Sequence, residues 1–71
     1  MHEFVVCLNN KNYETSLEKR KLYEVIQDPE ALKHNQIRVI DESGEDYLFS
    51  KDIFMAVPLS EIIAEKLAHV A

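Results

Sequence analysis

Apolar and polar positions alternate with the period of a half-buried strand around residues 37–49, short apolar runs mark further strands, and the pattern turns helical near the end of the chain. The first run, Phe4-Val5-Val6-Cys7-Leu8, predicts a strand closed by the turn-formers Asn9, Asn10, Lys11 and Asn12. Residues 13–16 predict a short extended piece. In residues 17–26 the first half has helix propensity. The second half, Leu22-Tyr23-Glu24-Val25-Ile26, is β-branched and aromatic and predicts a strand. Tyr23 and Val25 share one face of it, with Leu22 and Ile26 on the other. That pattern suits a strand that crosses a barrel or lies under a covering helix.

Asp28-Pro29-Glu30-Ala31 predicts a helix start. Asp28 caps, Pro29 suits the first helical position, and Glu30 favours the positive end of the helix dipole. The helix should run about two turns, with Ala31 and Leu32 inward and Lys33 and His34 in water; Asn35 is a left-handed stop. Ile37 and Val39 then alternate with Arg38, and Tyr47 and Phe49 with Leu48. Between these runs stands the only glycine, Gly44, which supplies the positive φ of a hairpin turn. Ser50-Lys51-Asp52 breaks the alternation and predicts one 3₁₀ turn. A last strand follows over residues 53–57 and ends at Pro58, which cannot extend a ladder. From Ser60, a plausible N-cap, to about His69 the period becomes helical. Leu59, Ile63 and Leu67 form one stripe, flanked by Ile62 and Val70, that should cover an open end or face of the barrel.

This order predicts a mainly β fold, a small closed barrel of about five strands. It is one domain over residues 1–71, with the barrel at 3–58 and the final helix at 59–70. The sequence of strand, long loop, strand, hairpin, 3₁₀ turn and strand resembles an SH3-like barrel, most clearly over residues 44–57. The segment Arg38-Val39-Ile40-Asp41-Glu42-Ser43-Gly44-Glu45-Asp46-Tyr47-Leu48, with Ser16-Leu17-Glu18 and Lys21-Leu22-Tyr23-Glu24-Val25, resembles a family of short bacterial proteins, frequent in cyanobacteria, that has no assigned activity. Ser50 departs from that family, where proline is expected, and should loosen the 3₁₀ turn. The resemblance implies a fold and no chemistry. The chain has no tryptophan and no Ala-Leu-Tyr-Asp-Tyr-like start, so recognition of proline-rich peptides does not carry over.

Charge narrows the partners. The formal net charge is −5, from 13 acidic and 8 basic residues, and the basic cluster Lys19-Arg20-Lys21 is flanked by Glu14, Glu18 and Glu24. This disfavours phosphate backbones and anionic membranes. No apolar run approaches the roughly 20 residues that span a bilayer, and no basic segment precedes an apolar one at the N-terminus, so a cytoplasmic location is expected. The single cysteine, Cys7, rules out an internal disulfide and reads as a small buried hydrophobe rather than a reactive thiol.

Candidate chemistry is thin. Asp41, Glu42, Glu45 and Asp46 place four carboxylates within six residues. Their spacing does not match a calcium loop, and hairpin side chains alternate between faces, so a solvated turn is the simpler reading. His2, His34 and His69 are dispersed, no serine has a nucleophile-elbow context, and one glycine cannot build a phosphate loop. No cofactor and no enzymatic activity are expected. Phe49 and Phe54 should fill the core, while the amphipathic Tyr13, Tyr23 and Tyr47 are the candidate partner-binding residues. The leading expectation is a non-enzymatic module that binds another protein, as a monomer or weak homodimer. The alternatives are a metal or small-ligand sensor using the acidic hairpin, and an RNA-associated barrel, which the charge opposes.

Overall fold

A computed structural model describes residues 2–69. The elements run β1 (Glu3–Cys7), β2 (Leu22–Ile26), α1 (Pro29–Leu32), β3 (Gln36–Ile40), β4 (Asp46–Ser50), a 3₁₀ turn (Lys51–Ile53), β5 (Phe54–Val57) and α2 (Glu61–Ala68). All five strands lie in one antiparallel sheet, ordered β4-β3-β2-β1-β5, so the last strand pairs with the first. The fold is mainly β and SH3-like in strand order.

The short 3₁₀ link forces the sheet to curl. Flat, strands β4 and β5 would stand four spacings apart, roughly 19 Å. Three residues of 3₁₀ helix rise only about 6 Å. The sheet therefore rolls, and its two outer strands approach without joining. The barrel is open along this seam, not closed as the sequence suggested, because among the described residues β4 pairs only with β3 and β5 only with β1. At residue 50, where proline was expected, the Ser50 hydroxyl accepts a hydrogen bond from Asp52 N–H at 3.3 Å and caps the turn. Ile53 belongs to that turn, and β5 begins at Phe54.

The pleat sends Val5, Cys7, Tyr23, Val39, Phe49 and Phe54 inward to one core. Phe49 meets Phe54 edge-on with centroids 5.9 Å apart. Cys7 is fully buried, and desolvation pushes its thiol above the ordinary value, which suits the inert role.

Several local expectations change in the structure. Residues 13–16 form turns instead of an extended piece, and residues 17–21 are irregular despite their helix propensity. Helix α1 has four residues, one turn instead of two. Asp28 caps it at Ala31 N–H (3.1 Å), and Asn35 ends the segment at φ 56. Ala31 is buried, but Leu32 is 48% exposed, because one helical turn cannot aim both residues inward. On α2 the expected stripe docks only in part. Ala64 is the buried residue, while Ile62, Ile63 and Leu67 remain exposed. Leu59 is half-buried and Leu67 borders a cleft beside Phe4 and Leu22, whereas Ile62 faces solvent. Val70 lies outside the described residues.

Candidate functional site

The two ends of the barrel are finished differently. At one end the loop of residues 8–21 folds back as a plug. Leu17 enters the core and is 0% exposed. Asn10 Nδ2 donates to Leu17 O at 3.0 Å, and Glu42 N–H donates to Ser16 O at 3.0 Å, tying the loop to the β3–β4 hairpin. Asn12 and Arg20 hold the left-handed conformation (φ 74 and 69) that these reversals demand.

Tyr23 completes that seal. Its ring is 5% exposed, and its hydroxyl accepts from Glu18 N–H at 2.7 Å while donating to Glu42. Burial and the Glu42 carboxylate push the phenol up to about 12. Lys21 first, then Tyr23, holds Glu42 below the usual carboxylate range. Tyr23 is thus a structural residue, and it presents no ring to a partner. Tyr13 and Tyr47 remain 40% and 49% exposed. Tyr13 packs edge-on against Phe49 at 5.1 Å, and Tyr47 shares Phe49's face of β4, with its phenol raised chiefly by the charge of Glu45. The three candidate tyrosines therefore do not form one patch.

The opposite end is a mouth. The one-turn α1 is too short to cover it, and a cleft of about 610 Å³ remains. Its floor is apolar: Val5, Val25, Ile37, Phe54 and Ala56. Its rim is charged, with Glu3, Asp28, Arg38, Lys51 and Asp52. A second cleft, of about 410 Å³, shares Glu3 and Ala56 with the first and continues past Pro58 and Leu59 to Glu61. Together they form one groove that runs along the end of β5. Apolar floors with a few placed polar groups, at this size, are the usual form of a binding site. Neither Tyr13 nor Tyr47 borders this groove.

Most rim charges already have partners. Arg38 reaches Asp28 at 2.9 Å and Asp46 at 3.0 Å, and Asn35 Nδ2 donates to Asp52 at 3.1 Å. The cap bond from Ala31 N–H, then Arg38, holds Asp28 below its ordinary range. Nothing in the pattern of residues marked this groove. Its floor residues carry the same alternation as the rest of the core, and Val5, Ile37 and Phe54 among them are buried, so no local pattern sets them apart.

The acidic hairpin does not converge on a ligand. Asp41 turns back onto Ser43 N–H (2.8 Å) and the Ser43 hydroxyl, Glu42 holds Lys21 and Tyr23, and Asp46 holds Arg38. Among the described residues no group of three or more His, Cys, Asp or Glu side chains is placed to hold a metal ion. His2 and His69, dispersed in sequence, meet at α2. His2 bridges Glu24 and Glu65, and His69 Nε2 lies 2.8 Å from Glu65 Oε1. The His69 contact holds Glu65 below the usual carboxylate range. Among the described residues no helix is long and apolar enough to cross a membrane. No family model matches the chain, and no curated protein or solved structure matches it.

Proposed function

We propose that this chain is a non-enzymatic protein-interaction module, working in the cytoplasm, that receives part of a protein partner in the groove at the barrel mouth. The observation that carries this reading is the apolar floor of Val5, Val25, Ile37, Phe54 and Ala56, left open in so small a domain. The acidic excess of the chain supports a basic or mixed partner. The likeness to short bacterial proteins without assigned activity adds fold and no chemistry. Panning a random dodecapeptide library on the full chain tests the reading. Enriched peptides should bind the native protein and lose binding to Ala56→Trp, which fills the groove. Binding to Tyr13→Ala and Tyr47→Ala should be unchanged. Peptides that bind Ala56→Trp as well as the native chain would remove the groove as the site.

A further inference from the structure

We propose that the occupant of the groove is an extended, basic segment of a partner protein that adds as a strand along the free edge of β5, bonded to the main chain of Ala56. This rests on the groove being the binding site. It follows from the direction of the backbone groups on β5. In an antiparallel ladder, successive residues send their N–H and C=O alternately to one neighbour and to the other. Cys7 uses both groups on the β2 side: its N–H donates to Lys21 O at 3.0 Å, and its C=O accepts from Arg20 N–H at 2.8 Å. Leu8 N–H instead donates to Ile53 O at 2.8 Å, on the β5 side. With the register Cys7–Phe54, Val6–Met55, Val5–Ala56 and Phe4–Val57, the alternation turns Met55 and Val57 toward β1. Phe54 and Ala56 face the open seam.

Phe54 N–H is taken by Lys51 O, the cap of the 3₁₀ turn. Ala56 has no backbone partner on its seam side among the described residues. Its side chain holds an inward position in the pleat and yet is exposed, since no strand lies beyond it. Ala56 thus combines an unpaired donor and acceptor with the floor of the groove. That combination is what strand addition uses: main-chain bonds hold the segment, and alternate side chains enter a pocket.

Charge selects the segment. Glu3, Asp52 and Glu61 border the groove, and of its two cations Arg38 is engaged by Asp28 and Asp46. Lysine or arginine carried by an added strand therefore meets carboxylates at the rim of the groove. A second copy of this chain fits poorly. Two molecules each of net charge −5 would repel, whereas a basic segment is attracted.

The test uses the ¹⁵N-labelled full chain and the probe acetyl-Lys-Val-Lys-Val-Lys-Val-Lys-amide, with a glutamate-for-lysine counterpart and a fully N-methylated copy. The lysine peptide should slow hydrogen exchange at Ala56 N–H. The glutamate peptide should bind roughly tenfold weaker or worse, a difference of about 1.4 kcal/mol. The N-methylated copy should not bind. Ala56→Pro should abolish binding without lowering the melting temperature, because that N–H serves no bond within the fold. Strand addition is overturned by unchanged exchange at Ala56 on binding, by equal binding of the N-methylated copy, by tighter binding of the glutamate peptide, or by unfolding of Ala56→Pro. It is also overturned if Ala56 is protected without peptide in a concentration-dependent dimer. Any of these leaves the groove standing so long as Ala56→Trp blocks the selected peptides, so the two readings fail separately.

Discussion

The plugged end and the open end of this barrel are built from the same kind of strand, and they differ in what the connecting segment brings back. The loop of residues 8–21 is long enough to return, and it delivers one leucine into the core and one main-chain donor to the Tyr23 hydroxyl. The segment between β2 and β3 forms a single helical turn that buries Ala31 and leaves Leu32 at the rim. One connection supplies apolar volume and hydrogen-bond partners together. The other supplies a cap and little volume. A domain of this size has a net stability of roughly 4–10 kcal/mol, so each finished end matters, and an unfinished one is a deficit that a function can explain.

The sharpest way to break this contrast is Leu17→Ala. The side chain is wholly buried, so the loss of transfer energy and the cavity left behind should cost about 2–5 kcal/mol, a large share of the total. Urea denaturation measures it. A cost below 1 kcal/mol would mean that the loop is not a plug.

Tyr23→Phe should come next, at about 1–2 kcal/mol, since it strips a partner from Glu18 N–H and from Glu42. It also carries a pH signature. The folded phenol titrates near 12, above its ordinary value of 10, so its contribution is complete below pH 10 and is lost as pH rises through about 12. In the native chain, denaturation followed across this window should show an alkaline decline that the phenylalanine variant lacks in part. Identical alkaline profiles would show that the hydroxyl contributes nothing to the seal.

Gly44 probes the hairpin onto which the loop is tied. Its φ is 84, and a Cβ there would meet no atom within 4 Å, so the cost of substitution is purely one of backbone conformation. Gly44→Val should lose about 1 kcal/mol or more, and Gly44→Asn distinctly less, because asparagine tolerates the left-handed region. Equal melting temperatures for the two would contradict the turn geometry.

The smallest effect belongs to the open end. Leu32→Ser removes a half-exposed side chain from the rim and should change stability by less than about 1 kcal/mol. If it destabilised as much as Leu17→Ala, the mouth would be part of the core, and the contrast between the ends would disappear.

Local chemistry made much of this fold legible. Alternation marked the strands to within a residue, Asp28-Pro29 marked a helix start, and Gly44 marked a turn, because each of these signals acts over a few neighbouring positions. Amphipathic character likewise marked α2, but the pattern of Leu59, Ile63 and Leu67 did not say which face would dock. Ala64 is its buried residue, and which residues dock is a matter of distance between distant elements. The same limit governed the tyrosines. Tyr13, Tyr23 and Tyr47 are alike as residues, yet only tertiary structure placed the Tyr23 hydroxyl between Glu18 and Glu42, contacts separated by 5 and 19 positions along the chain.

A small, acidic, mainly β domain with SH3-like strand order and a core of alternating inward residues was already written in the order of amino acids. Tertiary structure decided that the barrel stays open at its seam, that one end is plugged and the other is a groove, and that Ala56 faces free space. The physical reason is that strand formation is set by residues two apart, whereas an opening is set by the lengths of connections and the curl of the whole sheet, which no local pattern encodes.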